Sequence, residues 1–460
     1  MLKIRVDQYQ TKALLNGFLY REYRDLTYVE RPVSEIQQLN LFIPQAYYQQ
    51  ESINGYTAAT APIFVPNTVG GYLPGPADFP GNDQWPSRSK TIEAALQRGY
   101  VVASPGLRGR TQQNESGDYI GKAPAFIVDL KAAIRFLRHN ADHLPGNYER
   151  IITNGTSAGG ATSALAGVSG NHPFFQPLLD ELGAAKESDA IYAASYYCPI
   201  HNLEHADLAY EWQFNGITTY HNQQMDFKTD PPRAIAVDGE LTNEQQKLSK
   251  ELKQGFRAYF NQLNLHDQQG KELTIDQDGK GSFLKLIQAL IMQSAQQVLN
   301  EGQTLSAEAG LTVVDQQVVG IDWPQYLAYI GRKKAVPAFD DLTLASAEND
   351  LFGTRQIPQQ HFTDFGQLNS QVKASQADPA LVAAVNPIHY LTETSGQTAH
   401  YWRIRHGASD RDTAFSIPLI LALFLQDQGK QVDFAYPWGI GHDSDYDLVA
   451  LFDWIDQICQ

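Results

Sequence analysis

A serine between two glycines is the first place in the chain where residue types and spacing suggest chemistry. The segment Gly155-Thr156-Ser157-Ala158-Gly159 fits the pattern G-x-S-x-G, which mounts a nucleophilic serine on a strained strand-to-helix turn. The flanks RIITN and ATSALAGV predict the strand and the helix that this turn requires. The sequence therefore predicts Ser157 as the nucleophile of an acyl transfer, with an incidental serine in a glycine-rich connection as the alternative.

Acyl transfer also needs N–H donors for the negatively charged oxygen that develops in the transition state. The residue after the nucleophile supplies one, so we predict the backbone N–H of Ala158. The second donor is expected after the third strand of the sheet, where the strand APIFV leads into a turn-rich loop containing Gly70 and Gly71. We predict that Gly71 or Gly70 supplies it, and a flexible turn is the alternative.

A serine nucleophile needs a histidine base, and the base needs an acid that holds its tautomer. His442 follows the last predicted strand, in the loop WGIGHDSD, and is predicted to be the base. The acid is expected after the preceding strand, WRIRHG, where Asp410 and Asp412 compete. We choose Asp410, because Asp412 stands before the predicted helix AFSIPLILAL and would act as its N-cap.

Two other patterns resemble metal sites, and both are incomplete. His201 and His205 match H-x-x-E-H of zinc proteases, but the segment follows a predicted strand and offers no third ligand. The segment Asp276-Gln277-Asp278-Gly279 begins like a calcium loop but lacks oxygen ligands at positions 5 and 12, and predicts a surface turn. We expect no metal and no cofactor; sensitivity to chelators would reveal a zinc hydrolase.

An alternation of strands and helices is needed to position the predicted catalytic residues. The sequence predicts such an alternation near both ends of the chain. The strands APIFV, YVVAS, RIITNG and AIYAASYYC alternate with helical segments, and the alternation resumes at Ala399. This order is typical of a mostly parallel sheet with helices on both faces. We predict the α/β-hydrolase fold, with a catalytic domain made of residues 1–197 and 386–460.

The middle of the chain, residues 198–385, is more polar and rich in glutamine. It includes two segments with helical periodicity, EQQKLSKELKQGFRAYFNQL and LKLIQALIMQSAQQVL. We predict that this part is a large inserted, mainly helical lid domain. A loop with a proline pair, at about residues 222–239, is expected to be a mobile flap.

The composition of the chain limits the classes of molecule that it is expected to bind. The net charge of −16 argues against nucleic acid and anionic membranes and favours an uncharged small-molecule substrate. There is no pattern of a signal peptide and no apolar run near the ~18 residues of a membrane span. Cys198 and Cys459 are the only cysteines, so we expect reduced, packed thiols in a cytoplasmic monomer.

Long segments of the chain resemble the bacterial tannases (tannin acylhydrolases) of lactic acid bacteria, over nearly the whole length. These segments are APIFVPNTVGGYLPGPAD, RIITNGTSAGGATSALAG, YCPIHNLEHADLAYEWQFNG, KAVPAFD, YWRIRHGASDRDTAF and SDYDL. The paired cysteines of fungal tannases are absent, since Thr156 and Asp443 stand at those positions. The resemblance implies hydrolysis of galloyl ester and depside bonds of gallotannins to gallic acid, with Ser157, Asp410 and His442 as the triad.

The resemblance also implies contacts to the galloyl ring. The family's galloyl-binding lysine, glutamate and aspartate fall on Lys334, Glu348 and Asp412, with Lys333 as a neighbouring candidate, and Ile200 would form an apolar wall for the ring. Carboxylates can accept the phenolic protons while a lysine donates, so rings without those hydroxyls are rejected. Without the resemblance, Lys334 and Glu348 would be interpreted as surface charges.

Two other functions are kept as alternatives. One is a feruloyl or other aryl carboxylesterase with the same triad, which a comparison of methyl gallate with methyl ferulate would distinguish. The other is a catalytically inactive hydrolase fold that serves as a binding module. Such a module usually lacks a triad residue, whereas this chain has all three.

Overall fold

The structure has strands near both ends of the chain and two β-hairpins in its middle. The computed structural model describes residues 3–84, 86–226 and 233–460. Its strands are β1 (Gln10–Ala13), β2 (Leu19–Thr27), β3 (Gln38–Pro44), β4 (Pro62–Pro66), β5 (Val101–Pro105), β6 (Asn147–Thr156), β7 (Ala193–Tyr197), β8 (Thr219–Asp226), β9 (Arg233–Glu240), β10 (Leu311–Val314), β11 (Gln317–Ile321), β12 (Tyr401–Arg405) and β13 (Gln431–Ala435).

One sheet of nine strands, counted over the described residues, has the order β1-β2-β3-β5-β4-β6-β7-β12-β13. The pairs from β1 to β5 are antiparallel, and every pair from β5 to β13 is parallel. The carboxyl ends of parallel strands share one edge, so the loops after β4, β6, β12 and β13 meet there. This is the predicted α/β-hydrolase fold, and that edge carries the predicted catalytic residues.

Helices cover the sheet and fill the middle of the chain. They are α1 (Pro86–Gln97), α2 (Ala125–His139), α3 (Ala158–Val168), α4 (Gln176–Leu182), α5 (Leu203–Phe214), α6 (Asn243–Gln262), α7 (Ser282–Asn300), α8 (Trp323–Ile330), α9 (Ala347–Leu351), α10 (Asp364–Leu368), α11 (Pro379–Ala384), α12 (Pro387–Leu391), α13 (Ser416–Asp427) and α14 (Leu448–Cys459). In the described ranges, none of them is long and apolar enough to cross a membrane.

The central strands are buried on both faces because helices pack on each side. All residues of β5 and β7 are buried, as expected of parallel strands that are covered on both faces. Helix α1 packs against α14, while α2, α3, α12 and α13 form a second connected group. The buried charges of α2 are paired: Lys131 and Arg135 with Asp189, and Asp129 with Arg108.

Helices α5 to α11 and the two hairpins occupy most of residues 198–385, and the sheet takes no strand from the described part of this segment. The predicted helices EQQKLSKELKQGFRAYFNQL and LKLIQALIMQSAQQVL are confirmed as α6 and α7. The division into a catalytic domain and a lid domain stays a prediction. The flap predicted at residues 222–239 falls on the β8–β9 hairpin, and its proline-bearing part, 227–232, lies outside the described residues.

The C-terminal segment HDSDYDLVALFDWIDQI predicts a helix from His442, but the last helix of the structure begins later. Residues 442–447 form a loop, and α14 starts at Leu448. Asp445 has φ of +49°, which is incompatible with an α-helix. Asp447 lies directly before the helix, and its carboxylate pairs with the buried Arg403. The loop after β13 is therefore longer than predicted, and it carries His442 at the sheet edge.

Candidate active site

Ser157 occupies a strained turn between β6 and α3. Its backbone has φ of +60° and ψ of −122°, a region that residues with a side chain rarely adopt. A Cβ atom at Gly155 would lie 2.3 Å from the carbonyl oxygen of Gly159, and one at Gly159 would lie 2.7 Å from the oxygen of Val69. The turn therefore requires glycine at both positions, as the pattern G-x-S-x-G predicts.

Asn67, the first residue after β4, ties the loop that precedes the two candidate oxyanion glycines to the nucleophile turn. Its buried side-chain amide donates to the carbonyl oxygens of Asn154, at 2.9 Å, and Gly159, at 3.0 Å. These contacts join the ends of β4 and β6 with the first turn of α3. Reasoning from the sequence did not single out Asn67, although it lies in APIFVPNTVGG.

Asp410 and His442 form the contact expected of an acid and a base. His442 Nδ1 donates to Asp410 Oδ2 at 2.8 Å, and the N–H of Asp412 donates to Asp410 Oδ1 at 2.8 Å. Burial alone would raise the pKa of the Asp410 carboxyl, but the nearby His442 and His406, with these hydrogen bonds, hold it below its usual range. Asp410 is therefore ionised and holds the proton on Nδ1, which leaves Nε2 as the basic nitrogen.

The pKa of His442 is shifted in the opposite direction. Burial lowers it, but the charge of Asp410 and the hydrogen bond to it outweigh burial, so the pKa lies above the ordinary 6.5. Asp412 adds to this rise from 3.9 Å, and Lys333 opposes it. The imidazole is therefore a stronger base than a free histidine.

The two candidate oxyanion glycines differ in their surroundings. Gly70 and Ser157 line the same cavity. Gly71 is exposed, has φ of +54°, and its carbonyl oxygen accepts a hydrogen bond from Arg110 Nε at 2.8 Å. Ala158 is buried as the first residue of α3. The predicted donors thus lie in the loop after β4 and at the start of the helix after β6, and their role stays a prediction.

Ile200 and Glu348 reach the site from the segment between β7 and β12. The N–H of Ile200 donates to the carbonyl oxygen of Ser157 at 3.1 Å, and its own carbonyl oxygen accepts from Tyr72 Oη at 2.6 Å. Burial raises the pKa of the Glu348 carboxyl, Lys334 lowers it, and Asp412 raises it. The charges of Lys334 and Asp412 are therefore close enough to Glu348 to shift the pKa of its carboxyl.

The two adjacent lysines make different contacts. Lys333 Nζ donates to both carboxylate oxygens of Asp412 at 2.7 Å, whereas Lys334 Nζ lies 3.7 Å from the centre of the Phe339 ring. The interpretation of Asp412 as an N-cap is wrong, because α13 begins only at Ser416 and has no side-chain cap. Asp412 lies in a bend at residues 412–413, and its carboxylate pairs with Lys333 instead.

A buried polar network supports these two lysines. Arg332 pairs with Glu211, both fully buried, and donates from Nε to the carbonyl oxygen of Lys334 at 2.6 Å. Tyr210 Oη accepts the N–H groups of Lys333 and Lys334, each at 3.1 Å, and donates to the carbonyl oxygen of Arg411 at 3.0 Å. Sequence reasoning missed this network; its signal in the sequence was the charged Glu211 between the aromatic residues Tyr210 and Trp212 of α5.

The residues of the two metal-like patterns make contacts within the protein. His201 is buried at the start of the α5 region, and the ring of His205 stacks on Tyr259 at 3.7 Å. The carboxylate of Asp276 accepts the N–H groups of Asp278, at 3.0 Å, and Lys280, at 2.8 Å, which makes a closed turn.

Across the described residues, the one group of three ligand atoms within 4.8 Å of one another consists of Cys198, Asp410 and His442. Cys198 Sγ donates weakly to the carbonyl oxygens of Gly441 and Asp443, both at 3.6 Å. Burial raises the pKa of this thiol well above its usual value, so it keeps its proton. Cys198 therefore packs behind the acid–base pair as an uncharged thiol, and Cys459 is likewise free and buried.

Comparison with known proteins gives matches over the whole chain. Residues 75–207 match the family model described as BD-FAE. The structure is similar to tannase from Lactobacillus plantarum, with a TM-score of 0.98, 52% sequence identity and 100% of both chains covered. It is similar to a tannin acyl hydrolase in complex with ethyl gallate, with a TM-score of 0.93, 52% identity and coverage of 98% of this chain and 97% of that one.

Two further matches differ in extent. Fusobacterium nucleatum tannase has a TM-score of 0.94 and 43% identity, with both chains covered completely. Esterase LipQ of Mycobacterium tuberculosis is 36% identical over 88 residues, which are 19% of this chain. The match therefore spans only 20% of the length of that curated relative.

Proposed function

Because the chain belongs to the tannase family, we propose that it is a serine esterase that releases gallic acid from galloyl esters. The observation that carries the proposal is the strained Ser157 on the sheet edge that also holds the Asp410–His442 pair. A tannin acyl hydrolase of 52% identity binds ethyl gallate, a galloyl ester. The net charge of −16 also favours an uncharged ester.

In the first half of the reaction His442 Nε2 takes the proton of Ser157 Oγ, and Oγ bonds to the carbonyl carbon of the galloyl ester. The N–H of Ala158 and that of Gly71 or Gly70 stabilise the oxygen that becomes negative. The bond from that carbon to the alcohol oxygen then breaks, and His442 returns the proton to the departing alcohol. Asp410 holds the imidazole throughout and stabilises its charged form.

In the second half water replaces the alcohol. His442 removes a proton from water, the resulting oxygen attacks the galloyl-enzyme, and Ser157 Oγ departs with that proton. The products are gallic acid and the free enzyme. Both ester and depside bonds fit this scheme, since each has an oxygen leaving group.

Recognition of the galloyl ring is assigned to Ile200, Glu348, Asp412 and one of the lysines at 333 and 334. The apolar side chain of Ile200 lies beside the Ser157 turn and can face the ring. Glu348 and Asp412 offer acceptors for phenolic hydroxyls, and a lysine offers a donor. A ring that lacks the hydroxyls would leave these partly buried groups unpaired, which disfavours its binding.

Hydrolysis of methyl gallate tests the proposal. Ser157→Ala should lower kcat by about 10⁴-fold or more, because the covalent intermediate cannot form. The exposed Ser116→Ala is a matched control that should retain wild-type turnover. Methyl ferulate as a second substrate distinguishes an aryl esterase, since a galloyl esterase should prefer methyl gallate. A kcat of Ser157→Ala within about tenfold of the wild-type value would refute the assignment.

A further inference from the structure

A cavity of about 640 Å³ lies in the middle part of the chain, between α5, α6, α7 and α8. Its volume falls in the range of about 300–1,000 Å³ that is typical of small-molecule sites. The lining contains none of the residues assigned to catalysis or to recognition of the galloyl ring. The cavity is therefore separate from the candidate active site, and the proposed reaction does not use it.

The walls of the cavity are mostly apolar, and two indole rings are part of them. Trp212 is buried, its Nε1 donates to the carbonyl oxygen of Gly279 at 3.0 Å, and its ring stacks on that of Phe283 with 5.7 Å between the centres. The ring of Trp323, at the start of α8, lies 5.5 Å from that of Tyr326. Rings held in place by their neighbours favour a flat aromatic ligand over a flexible chain, which would lose conformational freedom on binding.

Three lysines from different elements border the same cavity. They are Lys253 of α6, Lys280 of the turn before α7, and Lys285 of α7. In the part of the chain that the structure describes, none of their ammonium groups has an ion-pair or hydrogen-bond partner. Asp278 is the one carboxylate among the described residues of the lining. The cavity therefore has an excess of positive charge in a chain with a net charge of −16, and it attracts an anion.

The turn that resembles the start of a calcium loop brings a lysine and an indole together. Gly279 has φ of +78°, and a Cβ atom there would lie 3.2 Å from Cε of Lys253 and 3.6 Å from Nε1 of Trp212. Any side chain at this position would crowd both groups, whereas glycine adopts the positive φ and leaves the space open. The turn thus forms a wall of the cavity on which a positive charge and an aromatic ring are neighbours.

We propose that this cavity is a second binding site of the protein and that it takes an aromatic carboxylate. Trp212 and Trp323 offer apolar faces to the aromatic part, and the lysines offer donors and countercharge to the carboxylate. A neutral ring would leave the lysines without a partner, and a saturated anion would gain less from the indoles. The inference is independent of the proposed function, although gallate, the product of that reaction, belongs to the same class.

Isothermal titration calorimetry tests the ligand class with three probes of similar size. They are 2-naphthoate, the neutral 2-naphthol, and decahydro-2-naphthoate, which has the carboxylate on a saturated ring system. The Kd of 2-naphthoate should be lower than that of 2-naphthol by about tenfold and lower than that of the saturated acid by about fivefold. Equal Kd values for 2-naphthoate and 2-naphthol would overturn the role of the lysines, and equal values for the two acids would overturn the choice of an aromatic ligand.

A pair of lysine variants tests the charge of the cavity. Lys253→Met combined with Lys285→Met should raise the Kd of 2-naphthoate about tenfold and leave that of 2-naphthol unchanged, because only the acid uses the lost cations. The matched control combines Lys247→Met with Lys271→Met, which removes two exposed cations outside the cavity and should change neither Kd. Equal effects of the two double variants on 2-naphthoate would contradict the proposal.

A steric variant tests the location. Ala328→Trp fills the cavity from an exposed position of α8, so it should raise the Kd of both 2-naphthoate and 2-naphthol by about tenfold or more. An unchanged Kd of 2-naphthoate in this variant, with folding confirmed by circular dichroism, would overturn the cavity as the site. All variants should keep the wild-type kcat/KM for methyl gallate, and failure of the wild type to hydrolyse this ester would overturn the proposed function alone.

Discussion

The residues assigned to cleavage and those assigned to ring recognition are held in different ways. Ser157, Asp410 and His442 follow β6, β12 and β13, so the backbone of one parallel sheet brings them to a common edge. Lys334 and Glu348 come from the segment between β7 and β12, where the buried Glu211–Arg332 pair holds the backbone of Lys334. Changes in the first set should abolish turnover, whereas changes in the second should alter stability and selectivity.

The largest effect is expected from Asp410→Asn. The neutral amide cannot hold Nδ1 of His442 in its protonated tautomer or stabilise the imidazolium, so kcat for methyl gallate should fall about 10⁴-fold. Steady-state kinetics measure the fall, and circular dichroism checks that the sheet is intact. Retention of kcat within about tenfold would show that another residue is the acid, and Asp412→Asn would then be the variant to measure.

The second-largest effect is expected in the free energy of unfolding, through the buried pair that supports the residues assigned to ring recognition. Glu211→Ala leaves the fully buried Arg332 without its carboxylate, and should lower the free energy of unfolding by about 3–5 kcal/mol. Urea denaturation measures the change. The control is Arg355→Met, which breaks the pair of Asp118 with a side chain that is 72% exposed and should change the free energy by less than about 1 kcal/mol. Equal changes in the two variants would contradict the buried network as the support of the lysines.

A smaller effect is expected in selectivity. Glu348→Gln should lower kcat/KM for methyl gallate about 10- to 100-fold, since a charge-assisted hydrogen bond to a phenolic hydroxyl is weakened. The value for methyl benzoate, which has no hydroxyl, should fall less. A ratio of the two esters that stays at its wild-type value would mean that Glu348 does not face the ring.

The smallest expected effect is a change in pH dependence, and it distinguishes the role of Lys333 from that of Lys334. The base His442 must be neutral, and its pKa is raised by Asp410, so the acid limb of kcat/KM should lie above pH 6.5. Lys333 lowers this pKa, so Lys333→Met should move the limb upward by roughly a few tenths of a pH unit. Lys334→Met should instead raise KM for methyl gallate. A limb that moves downward in Lys333→Met would refute the Lys333–Asp412 contact beside the base.

The sequence was most informative where function depends on the local backbone. The G-x-S-x-G pattern, the strand before it and the helix after it are all confirmed, because a tight turn restricts residue size within five positions. The apolar periodicity of α6 and α7 was likewise sufficient to predict them. The start of α14 was predicted too early, because Asp447 bonds to Arg403 of a distant strand, a contact that no local pattern contains.

By itself, then, the sequence determined the fold class, the nucleophile turn and the order in which acid and base follow along the chain, since these follow from strand–helix alternation and short motifs. Only the tertiary structure decided that Asp410 bonds to His442 while Asp412 pairs with Lys333. It alone also placed Asn67, Tyr210 and the Glu211–Arg332 pair around the site. The physical reason is that a hydrogen bond or an ion pair acts over about 3 Å in space, irrespective of separation along the chain.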